Sequence, residues 1–391
     1  MDNFSDYFFF PTFEEPSCDY FHPVTGDCVA TLDEFREAIV AWLTPKPYVA
    51  VLMVLFACTF LLGIFGNFLV CLVVWKNQRM KTVTNTFIFN LAMADFLVLL
   101  IALPFTLIQD VAQTWFFGDV MCKLVKYTQR VSVVVSVLTL TAIAIERFNA
   151  ICYPLKARAT LVKARFTIVV IWVIAFSASI PDLVFCEIKR SYPEYVTPYL
   201  VSCRNMKPLM GFYIYIIVFF VIPVIIIAFC YARIAKCLWK SHIPIQTGNG
   251  ASTSFGEFSQ PHAARRRTAK MLFVVVIFFI CCYLPVHIIN TLFILQLTGM
   301  VKSAWTLGAH PTVIIVMCTH LLVYINSAMN PVIYNFMSEK FRREFRIACS
   351  SCCSKRARCP MAVELTEKRD NFTRTGTTRL VTSADNRGTY V

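Results

Sequence analysis

The chain has 391 residues, of which 57% are apolar and only 15% charged, far more hydrocarbon than a soluble core of that size uses. Its formal charge of +14 would suit a nucleic-acid binder, but the basic residues fall in separate short segments instead of one stripe, which excludes that reading. An integral membrane protein remains.

The first stretch is acidic and aromatic, with Asp2, Asp6, Glu14, Glu15, Asp19 and Asp27. Met1–Phe10 has neither a basic n-region nor an apolar h-region, so no cleavable signal peptide is expected there. Asn3-Phe4-Ser5 is a glycosylation sequon, and Cys18 and Cys28 could pair or stay reduced. Next, TLDEFREAIVAWL places Leu32, Phe35, Ile39 and Leu43 near helical spacing behind a Thr31 N-cap with Glu34 three residues on. A short amphipathic helix is predicted.

Seven apolar segments follow, each near the length of about 20 residues that crosses hydrocarbon: Val49–Trp75, Thr84–Ile108, Leu124–Cys152, Phe166–Phe185, Gly211–Leu238, Met271–Leu295 and Leu307–Phe336. Lys76, Arg79 and Lys81 follow the first, Lys156, Arg158, Lys163 and Arg165 the third, and Arg265, Arg266, Arg267 and Lys270 precede the sixth. All lie on one side. The positive-inside rule makes that side cytoplasmic, the N-terminus extracellular and the tail cytoplasmic. Cys122 and Cys203 then fall on the oxidising side and are expected to pair. The loop Ile243–Pro261 lacks periodicity. After the last span, SEKFRREFRIAC reads as an amphipathic helix on anionic lipid, with Phe341, Phe345 and Ile347 opposite Lys340, Arg342, Arg343 and Arg346. Cys349, Cys352, Cys353 and Cys359 follow; Cys352 and Cys353 lead as palmitoylation candidates, and free thiols are the alternative.

The fold class is thus an all-α membrane protein, a seven-transmembrane helix bundle with a short amphipathic helix after the seventh span. It divides into an extracellular segment (1–47), the bundle (48–337), a membrane-surface helix (338–353) and a flexible cytoplasmic tail (354–391).

Ionisable groups inside a span cost roughly 2.5–3.5 kcal/mol even on a lenient scale, so each becomes a functional candidate. Asp95 lies mid-span in NLAMADFLVLL. With Asn67, Ser136, Asn326, Ser327 and Asn330 it could ligate a small hard cation such as sodium through oxygens. Glu146 and Arg147 end the third span as either a snorkelling pair or a buried pair suited to a two-state switch. In NSAMNPVIY, Pro331 frees a backbone carbonyl beside Asn326 and Asn330.

These features occur in a familiar order: Gly66-Asn67, NLAMAD, Cys122, ERF with Tyr153-Pro154, Trp172, Pro223 with Tyr231, CYLP and NPVIY. The chain resembles a rhodopsin-class (class A) G-protein-coupled receptor over Val49 to Cys353. Within that class VVWKNQRMKTVTNTFIFNLAMADFLV, TWFFGDVMCK, VSVLTLTAIAIERF, KCLWKSHIP and RRRTAKMLFVVV resemble the orexin (hypocretin) receptors and related neuropeptide receptors. Tyr283, where most of the class has tryptophan, and Asn290 also match that subgroup.

The resemblance implies a plasma-membrane, multi-pass receptor, not an enzyme, for an extracellular peptide with an amidated C-terminus. It further implies heterotrimeric G protein as partner, Gq with calcium release, and arrestin and receptor kinase alongside membrane lipid. Gln129 stands where amine receptors need an anion, so an amine ligand is not expected; a terminal amide is. Thr106, Asp110, Val133, His320 and Tyr324 complete the implied pocket, with Tyr283, His287 and Asn290 on one helical face. The implied switch uses Glu146, Arg147, Tyr231, Pro285 as hinge, Asn330, Pro331 and Tyr334.

Arg130 and His287 replace smaller residues of the orexin receptors, and Arg130 is expected to pair with Asp110 or with an acidic ligand group. Arg265, Arg266 and Arg267 stand where many such receptors carry an acid that clasps the arginine of span three, so ligand-independent signalling is expected. Receptors of neuropeptide Y, neuropeptide FF or allatotropin type are alternatives. From another class, an ion transporter or channel could use Asp95 and the asparagines as its path, although no repeat is visible. A membrane enzyme would need a nucleophile and base or clustered metal ligands, which the scattered histidines do not supply.

Overall fold

A computed structural model describes residues 31–44, 46–153, 160–190, 197, 199–205, 208–240, 259–297 and 309–354. Asn3, Cys18, Cys28 and Cys359, and the Ile243–Pro261 loop up to residue 258, lie outside the described residues. The chain divides into two compact units, Met1–Arg342 and Arg343–Val391. Among its described residues the first holds seven helices long and apolar enough to cross a bilayer: Pro47–Lys76, Val83–Ala112, Gly118–Cys152, Leu161–Phe185, Gly211–Cys237, Ala269–Leu295 and Pro311–Met337. These match the predicted spans to within a few residues.

Helix α1 (Leu32–Leu43) starts at Thr31, whose Oγ1 accepts from the Glu34 N–H as the capping pattern requires. Phe35 and Ile39 are buried against Leu43 and Leu200, so this helix rests on the loop between the fourth and fifth spans. Helix α2 (Pro47–Lys76) begins on proline, which has no N–H to leave unsatisfied. Its outward side shows Leu55, Leu61 and Phe65, as a lipid-facing helix must.

The second span breaks in two, α3 (Val83–Ile101) and α4 (Leu103–Ala112), because Pro104 interrupts the hydrogen-bond ladder. Only the outer piece carries Thr106 and Asp110. Helix α5 (Gly118–Cys152) is the most enclosed span, and α6 (Leu161–Phe185) packs beside it. Asn90 of α3 ties the three together: its Nδ2 donates to Thr139 Oγ1 at 2.8 Å, and Trp172 Nε1 donates to its Oδ1 at 2.8 Å.

Strands β1 (Cys186–Arg190) and β2 (Val201–Asn205) form an antiparallel hairpin across one mouth of the bundle, with Cys186 opposite Asn205 and Ile188 opposite Cys203. Cys203 is bonded to Cys122 of α5, so the expected disulfide is present. The Trp115 N–H donates to Val201 O at 2.8 Å and the Val201 N–H to Thr114 Oγ1 at 2.9 Å, which fasten β2 at a second point.

The fifth span comprises α7 (Pro208–Ile216), a wider turn (Ile217–Val221) and α8 (Ile222–Lys240). There the Ile222 N–H reaches back five residues to Ile217 O. The proline at 223, which cannot donate, accounts for the local widening. Helices α9 (Ser259–Leu297) and α10 (Ala309–Met337) run through Pro285 and Pro331 respectively.

Helix α11 (Glu339–Ser354) follows. Phe341 is buried with its ring 5.6 Å from that of Tyr334. In the second unit Phe345 is buried, but Ile347 is 48% exposed. This corrects the expected apolar stripe, because Ile347 stands two residues from Phe345 and so on the far side of a helix. Cys352 and Cys353 fall in its last turns, their side chains outside those described.

Two glycines let α2 approach α10. A Cβ on Gly66 would lie 2.9 Å from Pro331 Cβ, and one on Gly63 3.1 Å from Ala328 Cβ of α10 and 2.4 Å from Leu99 Cδ1 of α3. The proline ring cannot rotate aside. Gly66→Ala should therefore cost about 1–3 kcal/mol and lower the melting temperature of detergent-solubilised protein by several degrees. An unchanged melting temperature would show that α2 and α10 are less tightly seated than this contact requires.

Candidate functional site

The mouth beneath the hairpin is built around Gln129 of α5. Its Nε2 donates to Thr106 Oγ1 at 2.9 Å and to Tyr324 OH at 2.8 Å. Tyr324 in turn donates to Thr106 Oγ1 at 2.9 Å, and Thr106 to Ala102 O at 2.9 Å. Both amide hydrogens are thus used within the protein, and none of the described hydrogen bonds uses Gln129 Oε1. One turn outward from Thr106, the Asp110 carboxylate meets His320 Nδ1 at 2.7 Å. The two expected pairs at four-residue spacing, Thr106 with Asp110 and His320 with Tyr324, therefore meet each other across α4 and α10. Val133, four residues inward of Gln129 on α5, is half-buried.

Arg130 does not pair with Asp110. Its guanidinium forms a two-point ion pair with Asp182 of α6, through Nε to Oδ2 and through Nη2 to Oδ1 at 3.1 Å. It also lies over the Tyr215 ring, 4.3 Å from the centroid. Successive helix residues point about 100° apart, so Gln129 faces α4 and α10 while Arg130 faces α6 and α7. Neither Asp182 nor Tyr215 was expected. Asp182 had a signal, an acid following Pro181 in an apolar run, of the same kind that marks Asp95.

On α9, Tyr283 and His287 stack with centroids 6.3 Å apart, and Phe220 of the fifth span lies 4.6 Å from the His287 ring. Tyr283 is within electrostatic reach of Tyr324 and Tyr215, which joins it to the Gln129 wall. Asn290, expected on the same face, is exposed.

Deeper in the bundle, Asp95 is fully buried, accepts from Asn330 Nδ2 at 2.8 Å and is hydrogen-bonded by Ser327. Four buried oxygens there have no hydrogen-bond partner: Oδ1 of Asn67, Asp95, Asn326 and Asn330. Ser136 is buried on α5. An unmatched carboxylate with partnerless amide oxygens fits a hard monovalent cation better than a transition metal, which prefers nitrogen and sulfur. Among the described residues no group of three His, Cys, Asp or Glu forms a metal site.

At the opposite end Arg147 donates to both carboxylate oxygens of Glu146 at 2.5 Å, and Thr84 Oγ1 donates to Glu146 at 3.4 Å. The hydroxyls of Tyr231 and Tyr334 are buried without partners. Tyr231 meets Phe273 of α9 edge-on at 5.4 Å, and its ring lies within electrostatic reach of Arg147. The side chains of Arg265, Arg266 and Arg267 lie outside those described.

Seven spans, a disulfide-tethered hairpin over one mouth, a buried mid-bundle carboxylate and a charge pair at the other end define a receptor-type helix bundle. The family described as "7 transmembrane receptor (rhodopsin family)" matches residues 66–334. This chain belongs to that family, the class A G-protein-coupled receptors. Its relatives include a QRFP-like peptide receptor of Branchiostoma floridae, 34% identical over 332 residues, covering 81% of this chain and 83% of that receptor. Human neuropeptide FF receptor 1 is 36% identical over 323 residues, covering 78% of this chain and 71% of that receptor. A receptor family replaces the transporter reading of the Asp95 cluster.

Proposed function

We propose that the chain is a plasma-membrane receptor for an extracellular, C-terminally amidated neuropeptide. Its N-terminus lies outside and its tail inside, and it signals through heterotrimeric G proteins, Gq and calcium release foremost. The observation that carries this reading is the hydrogen-bond state of Gln129. With both Nε2 hydrogens bound to Thr106 and Tyr324, the group left for a ligand is Oε1, an acceptor. A terminal carboxamide can donate to it, whereas a carboxylate has no hydrogen to give. Gln129 also offers no charge to an ammonium, which argues against an amine ligand.

The printed names of both relatives are those of peptide receptors, which supports the same class. They favour a second reading of the ligand, a neuropeptide FF or QRFP-like peptide in place of an orexin-like one. Asp95 with Ser136, Asn326, Ser327 and Asn330 would hold a sodium ion, whose charge offsets the buried carboxylate. Arrestin and a receptor kinase complete the partners we propose at the inner face. There Cys352 and Cys353 would be palmitoylated and the last helix would lie on lipid; Asn3 outside would be glycosylated.

The test is a calcium assay on cells expressing the full chain, challenged with amidated orexin, neuropeptide FF and QRFP-like peptides. Gln129→Ala should lower potency by about 10- to 100-fold, the loss of one or two buried hydrogen bonds. A response to monoamines and to no peptide would overturn the assignment.

A further inference from the structure

Beside the Gln129 acceptor the wall of the mouth carries a permanent cation. An arginine there would ordinarily select a carboxylate, which it grips at two points. Here that grip is already occupied. Asp182, whose side chain is 3% exposed, holds Nε and Nη2 of Arg130, while the Arg130 side chain remains 27% exposed. The Tyr215 ring closes one face of the guanidinium.

The arrangement is braced from behind. Asp182 accepts a second contact from Cys186 Sγ at 3.8 Å, at the start of β1. Burial pushes the Cys186 thiol up to about 11, with Asp182 adding to the shift, so the thiol keeps its proton and stays a donor at neutral pH. Ser179, one turn back on α6, spends its hydroxyl on Ala175 O and does not compete for Arg130. Across the mouth the other acid, Asp110, is engaged with His320.

We propose that Asp182 is a specificity-determining residue: by neutralising Arg130 it makes the mouth reject a peptide ending in a free carboxylate and accept the amide. The inference rests on the reading of an amidated ligand. Without Asp182, Arg130 would present an uncompensated charge at a partly dehydrated wall, and the acid form would gain a partner that the amide cannot use. Asp182 itself touches no ligand and acts through Arg130.

The experiment uses matched synthetic pairs of orexin, neuropeptide FF and QRFP-like peptides, each made as the carboxamide and as the free acid. They are applied to cells expressing the full-length receptor at equal surface density. In the wild type the amide should be the more potent form. Asp182→Asn should narrow the amide-to-acid potency ratio by at least about tenfold, and Asp182→Glu should keep the wild-type ratio. Arg130→Gln should widen the ratio, since Asp182 is then left uncompensated.

A wild type that prefers the acid, or treats both forms alike, sinks the amidated-ligand reading itself. A wild type that prefers the amide, with the ratio unmoved in Asp182→Asn, sinks only the role of Asp182. Should Asp182→Asn fail to reach the surface, Arg130→Gln decides the matter in the same assay. An unmoved ratio there overturns the proposal, and a wider one upholds it.

Discussion

Replacing Cys203 with serine should remove most receptor from the cell surface and abolish the saturable peptide response of what remains. The bond joins residues 81 positions apart. On the chain-entropy account, closing such a loop contributes about 4.5 kcal/mol. Among the hydrogen bonds left to hold the hairpin are Trp115 N–H to Val201 O, Val201 N–H to Thr114 Oγ1, and Ile188 N–H to Asp119 Oδ1 at 3.3 Å. At about 1 kcal/mol each, they do not replace the covalent tie. The consequence reaches the mouth, because β1 begins at Cys186, the residue behind Asp182, and Leu200 just before β2 is the seat of α1. Surface immunostaining, the melting temperature of solubilised protein and peptide dose-response curves would each register the change. Cys122→Ser should behave alike, and the double variant no worse than either single one, since both remove the same bond. Normal surface level with full potency in Cys203→Ser would mean that the hairpin stands on its hydrogen bonds and packing without the covalent tie.

How much of this was readable beforehand depends on what each feature needs in order to be specified. The spans were legible, because a helix that must satisfy its own backbone in hydrocarbon leaves a long apolar run whatever its neighbours are. The cuts in the hydrogen-bond ladder at Pro285 and Pro331, inside two of the spans, were legible for the same local reason. The break in the second span was not marked, although Pro104 lies within it; a proline in an apolar run shows where a ladder is cut but not whether the helix parts or merely bends. Pairs within one helix, such as Thr106 with Asp110, follow from the period of the helix.

Pairs between helices do not follow from it. The partner of Arg130 depends on how far α5 is rotated and on which helix stands across from each face. Asp110, four residues from a pocket threonine, was the nearer acid by motif, yet α5 turns Arg130 the other way, to Asp182. Asn290 illustrates a different limit, for it is exposed. Its spacing from Tyr283 does put it on the same face, but burial also needs something packed opposite, and that is a property of the neighbouring helix. The orphan oxygens around Asp95 were foreseen as a group because each is a polar residue in hydrocarbon, where the cost of placing it is itself the signal.

Removing the acid of the other charge pair should raise signalling without ligand. In Glu146→Gln, Arg147 loses the carboxylate that takes both of its described hydrogen bonds, and Thr84 loses a charged acceptor. The two side chains are 11% and 14% exposed, so the pair is screened only in part. Taking about 2 kcal/mol for the broken pair, below the range for fully buried ones, the balance between resting and signalling arrangements shifts by about thirtyfold. The direction follows from what surrounds Arg147. Arg265, Arg266 and Arg267 stand in α9 where an acid would be needed to clasp the arginine, and an arginine cannot supply that carboxylate. Instead the Tyr231 hydroxyl, buried and without a partner, lies within electrostatic reach of the guanidinium. A released Arg147 could satisfy it, and Tyr231 already packs on Phe273 of α9, the helix that carries the implied hinge at Pro285. The second-messenger level of unstimulated cells, divided by surface receptor, should rise severalfold over the wild type. Glu146→Gln combined with Tyr231→Phe should give back part of that rise, because the alternative acceptor is gone. An unchanged basal level in Glu146→Gln at normal surface density would show that packing alone, and not this pair, holds the resting state.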